Sequence, residues 1–254
     1  MCLIACAVEP RSDVRLVVAA NRDELYDRPA APAERWSDGS GIVAGRDLLA
    51  GGTWMGITTG GRFAAVTNVR EPGVPPAQRS RGELVRGFLV GEEAPGVFAA
   101  GAVARGGSYG PFNLLAGEAG ELWYASNRVD GPVRVASGVH GLSNAALDTP
   151  WPKVRQATDG LRAWLDRDGD VAELLGVLGD RDQAPDDALP STGIPLEWER
   201  ALSAPLIVTP RYGTRSSTVL VVRHGGAATF VEWTRDRDGA VSGERRFELQ
   251  LPGW

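Results

Sequence analysis

The chain of 254 residues holds two cysteines, two histidines and one lysine. Two cysteines cannot build a disulfide framework, which excludes a small stapled secreted fold. The few His and Cys residues show no zinc-ligand spacing. No G-x-G-x-x-G follows a strand-like run and no P-loop is present, so neither a nucleotide nor a metal cofactor is expected. No segment reaches the ~18 apolar residues needed to span a bilayer. Positive charge is also in short supply. Lys+Arg total 27 against Asp+Glu 32, a net charge of -5, and a nucleic-acid partner held through phosphates is excluded on that ground. Lys153 is the lone lysine, a bias that the codon usage of a GC-rich genome accounts for.

What is present is globular. Hydrophobic residues make up 43% of the chain and charged residues 23%, enough for one domain over 1–254 with a sizeable core. The 33 glycines and 17 prolines mark turns. Eight tryptophans and apolar runs argue against disorder. The apolar run 2–8 is short and is followed at once by Glu9-Pro10-Arg11. A secretion signal needs a basic stretch before a longer apolar core, so the expected compartment is the cytoplasm.

Residues 2–8 and 14–20 read as a hairpin around the turn 9–13. Strand-like runs follow at 53–59, 62–69, 112–117, 121–127, 133–137 and 139–144. A last set covers 206–209, 217–223, 227–234 and 245–251. Short Gly, Asp or Asn loops between neighbours favour antiparallel pairing. Helices are expected at 79–90, 95–105, 151–166, 170–178 and 196–202, the third with apolar residues at helical spacing. Strands at both ends with helices between them predict an α+β layered fold. The polar stretch 179–190 reads as a surface loop.

The chemistry begins at Cys2. Removal of Met1, usual before a small second residue, gives residue 2 both a thiol and a free α-amine. That amine has an ordinary pKa of about 7.7–8.0, suited to a general base at neutral pH, and amine activation is one recognised route to covalent catalysis.

The opening Met1-Cys2-Leu3-Ile4, then Asn21-Arg22-Asp23-Glu24 and Asp27-Arg28-Pro29, resembles the NRDE family, also called the transport and Golgi organisation protein 2 family. The resemblance continues through Ala44-Gly45-Arg46-Asp47, Gly51-Gly52-Thr53-Trp54-Met55-Gly56 and Val66-Thr67-Asn68-Val69-Arg70. It resumes at Gly138-Val139-His140-Gly141-Leu142-Ser143-Asn144 and at Tyr212-Gly213-Thr214-Arg215-Ser216-Ser217-Thr218. These ordered blocks span nearly the whole chain. The family in turn resembles the N-terminal-nucleophile hydrolases, which implies a four-layer αββα sandwich: two antiparallel sheets between helix layers.

Among those hydrolases the choloylglycine and penicillin V acylases are the nearest functional pattern. The resemblance implies Cys2 as nucleophile, Asp23 as the acid that holds it, Asn68 and Asn144 at the oxyanion, and Arg215 beside the thiol. Arg22, Trp54 and His140 are the substrate-contacting candidates. One departure stands out. The acylases carry an arginine three residues before the Asp, where this chain has Ala20. Arg22 precedes Asp23 directly, and strand neighbours point to opposite faces, so Arg22 is expected to be turned away from the thiol. Either Arg215 or Arg22 would lower the thiol pKa, and the Asn amides would donate to a tetrahedral oxyanion.

Other features carry less. Cys6 lies ~13 Å along an extended strand from Cys2 at ~3.3 Å per residue, too far for a disulfide, and is expected in the core. His140 is expected to hydrogen-bond locally before Asn144. Trp54, Trp151 and Trp164 read mainly as core. Asp166-Arg167-Asp168-Gly169-Asp170 resembles part of a calcium loop but has Val177 where the twelfth-position Glu belongs. Two functions stand open: an amidohydrolase acting on a small-molecule linear amide, thioester or lactam through a Cys2 acyl-enzyme, or a carrier of a hydrophobic ligand such as haem or an acyl-CoA or lipid. For haem the axial candidates are His140, His224, Cys2, Cys6 and a few Tyr or Met residues, none in a haem motif.

Overall fold

The structure is a computed structural model that describes residues 2–167 and 169–254. Its first hairpin pairs β1 (Cys2–Arg11) with β2 (Val14–Leu25). Both strands are apolar on both faces, as strands buried between two layers must be. Ile4, Cys6, Val8, Val18 and Ala20 point into one core, while Leu3, Ala5, Ala7, Val17 and Ala19 point into another.

Among the described residues thirteen strands form two antiparallel sheets. The first sheet has the order β10-β1-β2-β11-β12-β13, with β10 at Gly138–Leu142, β11 at Tyr212–Arg223, β12 at Ala227–Arg235 and β13 at Val241–Gln250. The second runs β3 to β9 in chain order: Ala30–Arg35, Ile42–Asp47, Met55–Thr58, Phe63–Asn68, Phe112–Glu118, Glu121–Ser126 and Val133–Arg134. The two sheets face each other over a core that includes Phe63, Leu115 and Phe230.

Helices cover the outer faces. α1 (Gly82–Val90) and α2 (Pro95–Ala104) bury Leu84, Phe88 and Phe98 on the second sheet. α3 (Pro152–Arg167) and α4 (Val171–Val177) bury Leu161, Trp164 and Leu174 on the first. α5 (Leu196–Ala201) lies in the excursion between α4 and β11. The order helix, sheet, sheet, helix is the expected four-layer αββα architecture.

Two strands were not foreseen. β3 is an edge strand with Pro32 and a register shift between Ala31 and Glu34, the position where a sheet tolerates proline. β4 contains Ala44-Gly45, which lacks a β-branched signature. The expected strand at 206–209 is reduced to one bridge, Val208 to Gly213. The excursion that precedes it is tied to β2 by one side chain: Asn21 Nδ2 donates to the carbonyls of Leu178 at 2.8 Å and Pro205 at 2.9 Å.

Small residues let α3 approach the first sheet. Ala5 of β1 pairs with Gly141 of β10. A Cβ built at Gly141 falls inside the van der Waals shell of Val154 Cγ1 and 2.8 Å from Thr158 Cγ2. Gly141→Ala is therefore expected to lower stability by about 1–3 kcal/mol through overpacking, read from the midpoint of urea denaturation. Val154→Ala in the same chain should recover part of the loss. Strict additivity of the two substitutions would show that α3 does not press on this glycine.

Candidate active site

A cavity of about 790 Å³ opens where the strand ends of both sheets converge. Cys2, Arg22, Asp23, Trp54, Asn68 and Arg215 all line it. Seven arginines and five carboxylates line the cavity beside apolar groups such as Trp54, Val66 and Ile194, so its walls are mixed in polarity with an excess of positive charge.

The register of the first hairpin decides which groups meet. Cys2 is the direct cross-strand partner of Arg22, and directly opposed residues share a face with Cβ atoms ~5 Å apart. Arg22 therefore lies on the same face as the thiol, and its charge holds the thiol pKa down. This corrects the expectation that Arg22 is turned away. Alternation separates Arg22 from Asp23, and Asp23 is the residue sent to the opposite face. Arg22 Nη2 lies 3.9 Å from Asp47 Oδ2, which Arg28 Nε also reaches at 2.8 Å.

Burial nevertheless dominates at Cys2 and pushes its thiol above the ordinary value, with the Asp23 charge adding to the rise. Arg22 and the Asp23 backbone N–H act in the other direction. Burial thus favours the neutral thiol at Cys2 over the thiolate. Cys6, deeper in the intersheet core, is pushed up to about 12 by burial.

Asp23 is 1% exposed. Its Oδ1 accepts from Thr214 Oγ1 at 2.7 Å, and that hydroxyl oxygen accepts from the Ile207 N–H at 2.9 Å. Burial raises the Asp23 pKa, opposed most strongly by the Lys153 ammonium.

The two asparagines are joined differently from expectation. Asn144 Nδ2 donates to the Asn68 backbone carbonyl at 3.0 Å and to Asn68 Oδ1 at 3.2 Å. Both amide hydrogens of Asn144 are thereby engaged, and Asn144 is not among the cavity-lining residues. Asn68 does line the cavity, and only its oxygens are taken up by Asn144. Ser143 Oγ bridges Asn144 Oδ1 and the Cys2 carbonyl, at 3.1 and 2.9 Å. The loop after β10 is thus laced to the start of β1 and to the end of β6.

Arg215 lines the cavity, but its Nη1 donates to the carbonyls of Leu25 and Arg28 at 2.9 and 3.0 Å. The cause is a register shift: Thr214 pairs with Asp23 and Ser216 with Arg22, so Arg215 is the extra residue of a bulge. A cation that the sequence did not single out is Arg81, just before α1. It lines the cavity, and burial lowers its pKa, opposed by Cys2 and Glu24. Nothing in the Pro-rich segment before it marks this arginine among its neighbours. Also unforeseen is the buried pair of Arg70 with Glu199, whose guanidinium stacks 4.7 Å over the Trp151 ring.

The remaining candidates lie elsewhere. His140 stands outside the cavity lining, with Nδ1 2.8 Å from Asp148 Oδ2 and Nε2 3.0 Å from the Ala136 carbonyl. Trp164 packs in the core under α3 and donates to the Asp170 carbonyl at 2.8 Å. Asp170 caps α4 in a capping box with Glu173. Two expectations, the state of Met1 and the Asp168 part of the calcium-like segment, lie outside the described residues. Among the described residues no group of three or more His, Cys, Asp or Glu side chains is placed to hold a metal. No described helix is long and apolar enough to cross a membrane.

Two antiparallel sheets between helix layers, with a cysteine on the first strand opening into a cavity at the strand ends, define the N-terminal-nucleophile hydrolase class of fold. An N-acylethanolamine-hydrolyzing acid amidase ortholog from Caenorhabditis elegans shares it, with a TM-score of 0.50 and 12% identity over 86% of this chain and 92% of that one. Within that class the chain belongs to the Transport and Golgi organisation 2 family, whose profile matches residues 1–237. It is 38% identical over 257 residues to the Transport and Golgi organization protein 2 homolog of Bos taurus, covering 91% of this chain and 92% of that one. The Homo sapiens homolog is 34% identical over 277 residues, covering 99% of each chain.

The His140–Asp148 pair pins the loop that carries Ser143 and Asn144, since Asp148 Oδ1 also accepts from the Gly141 N–H at 2.8 Å. The hydrogen bond to Asp148 raises the His140 pKa, and Asp148 sits below the ordinary carboxylate range. The raised His contributes stability that is full below its ordinary 6.5 and is lost as pH rises through the folded value. The depressed Asp contributes stability that is full above its ordinary 3.8 and is lost as pH falls through the folded value. The difference in urea midpoint between wild type and His140→Gln is therefore expected to be larger at pH 5.5 than at pH 8.5. A difference independent of pH would show that the charge on His140 contributes nothing.

Proposed function

We propose that the chain is an N-terminal-nucleophile amidohydrolase that cleaves a linear amide through a Cys2 acyl-enzyme. One observation carries this reading: Cys2, Arg22, Asp23 and Asn68, which come from three strands of two sheets, converge on one cavity. Nothing in local turn chemistry demands that meeting, and a nucleophilic site does.

In this reading removal of Met1 frees the Cys2 α-amine. The amine takes the thiol proton as Sγ attacks the amide carbonyl, and Arg22 on the same face favours the thiolate that forms. The oxyanion of the tetrahedral intermediate accepts a hydrogen bond from Asn68 Nδ2, held in place by Asn144 through the two Asn68 oxygens. Collapse expels the amine, which takes the proton from the α-ammonium. Water, deprotonated by the same amine, then attacks the thioester and releases the acid. The Caenorhabditis elegans protein of like fold is described as hydrolysing N-acylethanolamines, so N-acyl amides are the first substrates to test.

The carrier reading has weaker support. Cys2 is the only axial-ligand candidate for haem among the described cavity-lining residues.

Three measurements test the enzyme reading. Intact mass spectrometry of the bacterially produced chain should give a mass lacking Met1. Iodoacetamide at neutral pH should label Cys2 faster than Cys6. On an N-acyl amide substrate, Cys2→Ala should abolish turnover and Asn68→Ala should lower kcat by roughly 10²–10³, the usual loss for one oxyanion donor. Uniform retention of Met1, or equal labelling of the two thiols, would overturn the amine-activated mechanism.

A further inference from the structure

Lys153 is the only lysine among 27 basic Lys and Arg residues, and its placement is expensive. It is 1% exposed and sits in the first turn of α3, where the helix dipole disfavours a cation. Its Nζ makes no hydrogen bond among the described residues. Arg70 adds a second positive charge nearby, and Asp23 and Cys2 are the groups that favour the ammonium. A buried, unbonded cation at the positive end of a helix is the arrangement a fold avoids unless the charge has a task.

The strand register says where that task lies. Asp23 shares its face of β2 with Val17, Ala19 and Asn21. Val17 and Ala19 pack in the core beneath α3. Asp23 and Lys153 are therefore on the helix side of the first sheet. The Cys2 and Arg22 side chains are on the intersheet face, Asp23 borders the cavity at the strand end, and its backbone N–H reaches the Cys2 thiol across the strand pair. We propose that Lys153 is a positioning residue for Cys2: from behind the sheet its ammonium keeps the Asp23 carboxylate charged and in place, and Asp23 in turn anchors the amine at position 2 and governs its protonation. The inference rests on the reading of Cys2 as an amine-activated nucleophile.

The choice of lysine has a physical reason. An arginine would be charged at every accessible pH, while a buried lysine titrates. Burial brings Lys153 down to about 8, close to the ordinary 7.7–8.0 of an α-amine. Above that pH the Asp23 carboxylate, already raised by burial, loses its strongest counter-charge. The other groups facing this pair are Arg22 on β2, Arg70 after β6 with its Glu199 partner on α5, and Tyr212 on β11. Burial pushes the Tyr212 phenol well above its ordinary value, and Arg70 is buried in an ion pair. Neither supplies a transition near pH 8.

The test is the pH profile of Cys2 alkylation by iodoacetamide between pH 6 and 10, on chain lacking Met1, with Cys6 in the same sample as the internal control. Wild type should show a step near pH 8 besides the rise due to the thiol itself, read on chain whose α-amine has been acetylated so that the amine, which titrates in the same range, does not contribute. Lys153→Met, folded by circular dichroism, should lack that step and label ~10-fold more slowly at pH 7, the effect of one pKa unit. Lys153→Arg should keep the pH 7 rate and lose the step, since its charge persists. A fast wild-type Cys2 with a profile unchanged in Lys153→Met overturns this inference alone. Wild-type Cys2 labelling no faster than Cys6 overturns the nucleophile reading and this inference with it. Should Lys153→Met fail to fold, the arginine variant decides: a step that persists near pH 8 in Lys153→Arg overturns the inference.

Discussion

The pairing of β1 with β2 is the constraint on which the rest of the site depends. Setting Cys2 opposite Arg22 assigns each chemical group to a side of the first sheet. A slip of one residue would send every side chain of a strand to the other face. The thiol would then leave the cavity for the core beneath α3, and Leu3 would take its place. That register is held by apolar burial on both faces of the hairpin, so the stability of the core and the placement of the Cys2 thiol have a common origin.

Around this hairpin the site is assembled by hydrogen bonds that cross between elements. Ser143 reaches the Cys2 carbonyl, Asn144 reaches Asn68, and Thr67 Oγ1 reaches the Ser143 carbonyl at 2.6 Å. Asn113 Nδ2 adds a bond to the Ala145 carbonyl at 2.9 Å. The two sheets therefore meet near Cys2 through polar contacts of fixed direction, in contrast to the apolar interdigitation deeper in the sandwich. Buried polar networks of this kind specify one arrangement when every member is satisfied.

Much of the fold was legible because strands buried on both faces leave continuous apolar runs, and most helices carried helical spacing. β3 and β4 were silent for the opposite reason: Pro32 and the Ala44-Gly45 pair belong to an edge and to a close approach, which apolar pattern does not report. That Cys2, Asp23 and Asn68 would lie near one cavity was legible because each stands at the end of a strand-like run within a family motif. The role of Arg215 was not, since a bulge depends on pairing between distant strands. Asn144 was legible as a member of the site, but its partner was set by the fold of the loop around it. Lys153 stayed hidden because its spacing on α3 is that of any first-turn polar residue. Its burial comes from how the helix start docks behind β2.

The bonds from Asn21 to Leu178 and Pro205 bear on how such a scaffold diversifies. One amide clamps both ends of the excursion that carries α5, and the clamp stands next to Arg22 and Asp23 in the chain. What lies between the clamped ends includes Ile194, which lines the cavity. A loop fixed at its ends can change length and composition inside at small entropic cost. Between the clamped ends Glu199 also pairs with Arg70 after β6, so the freedom left to the excursion lies in its exposed residues 181–183 and 186–188. Changes of length or sequence there leave the Asn21 clamp and the pairing of β1 with β2 as they are.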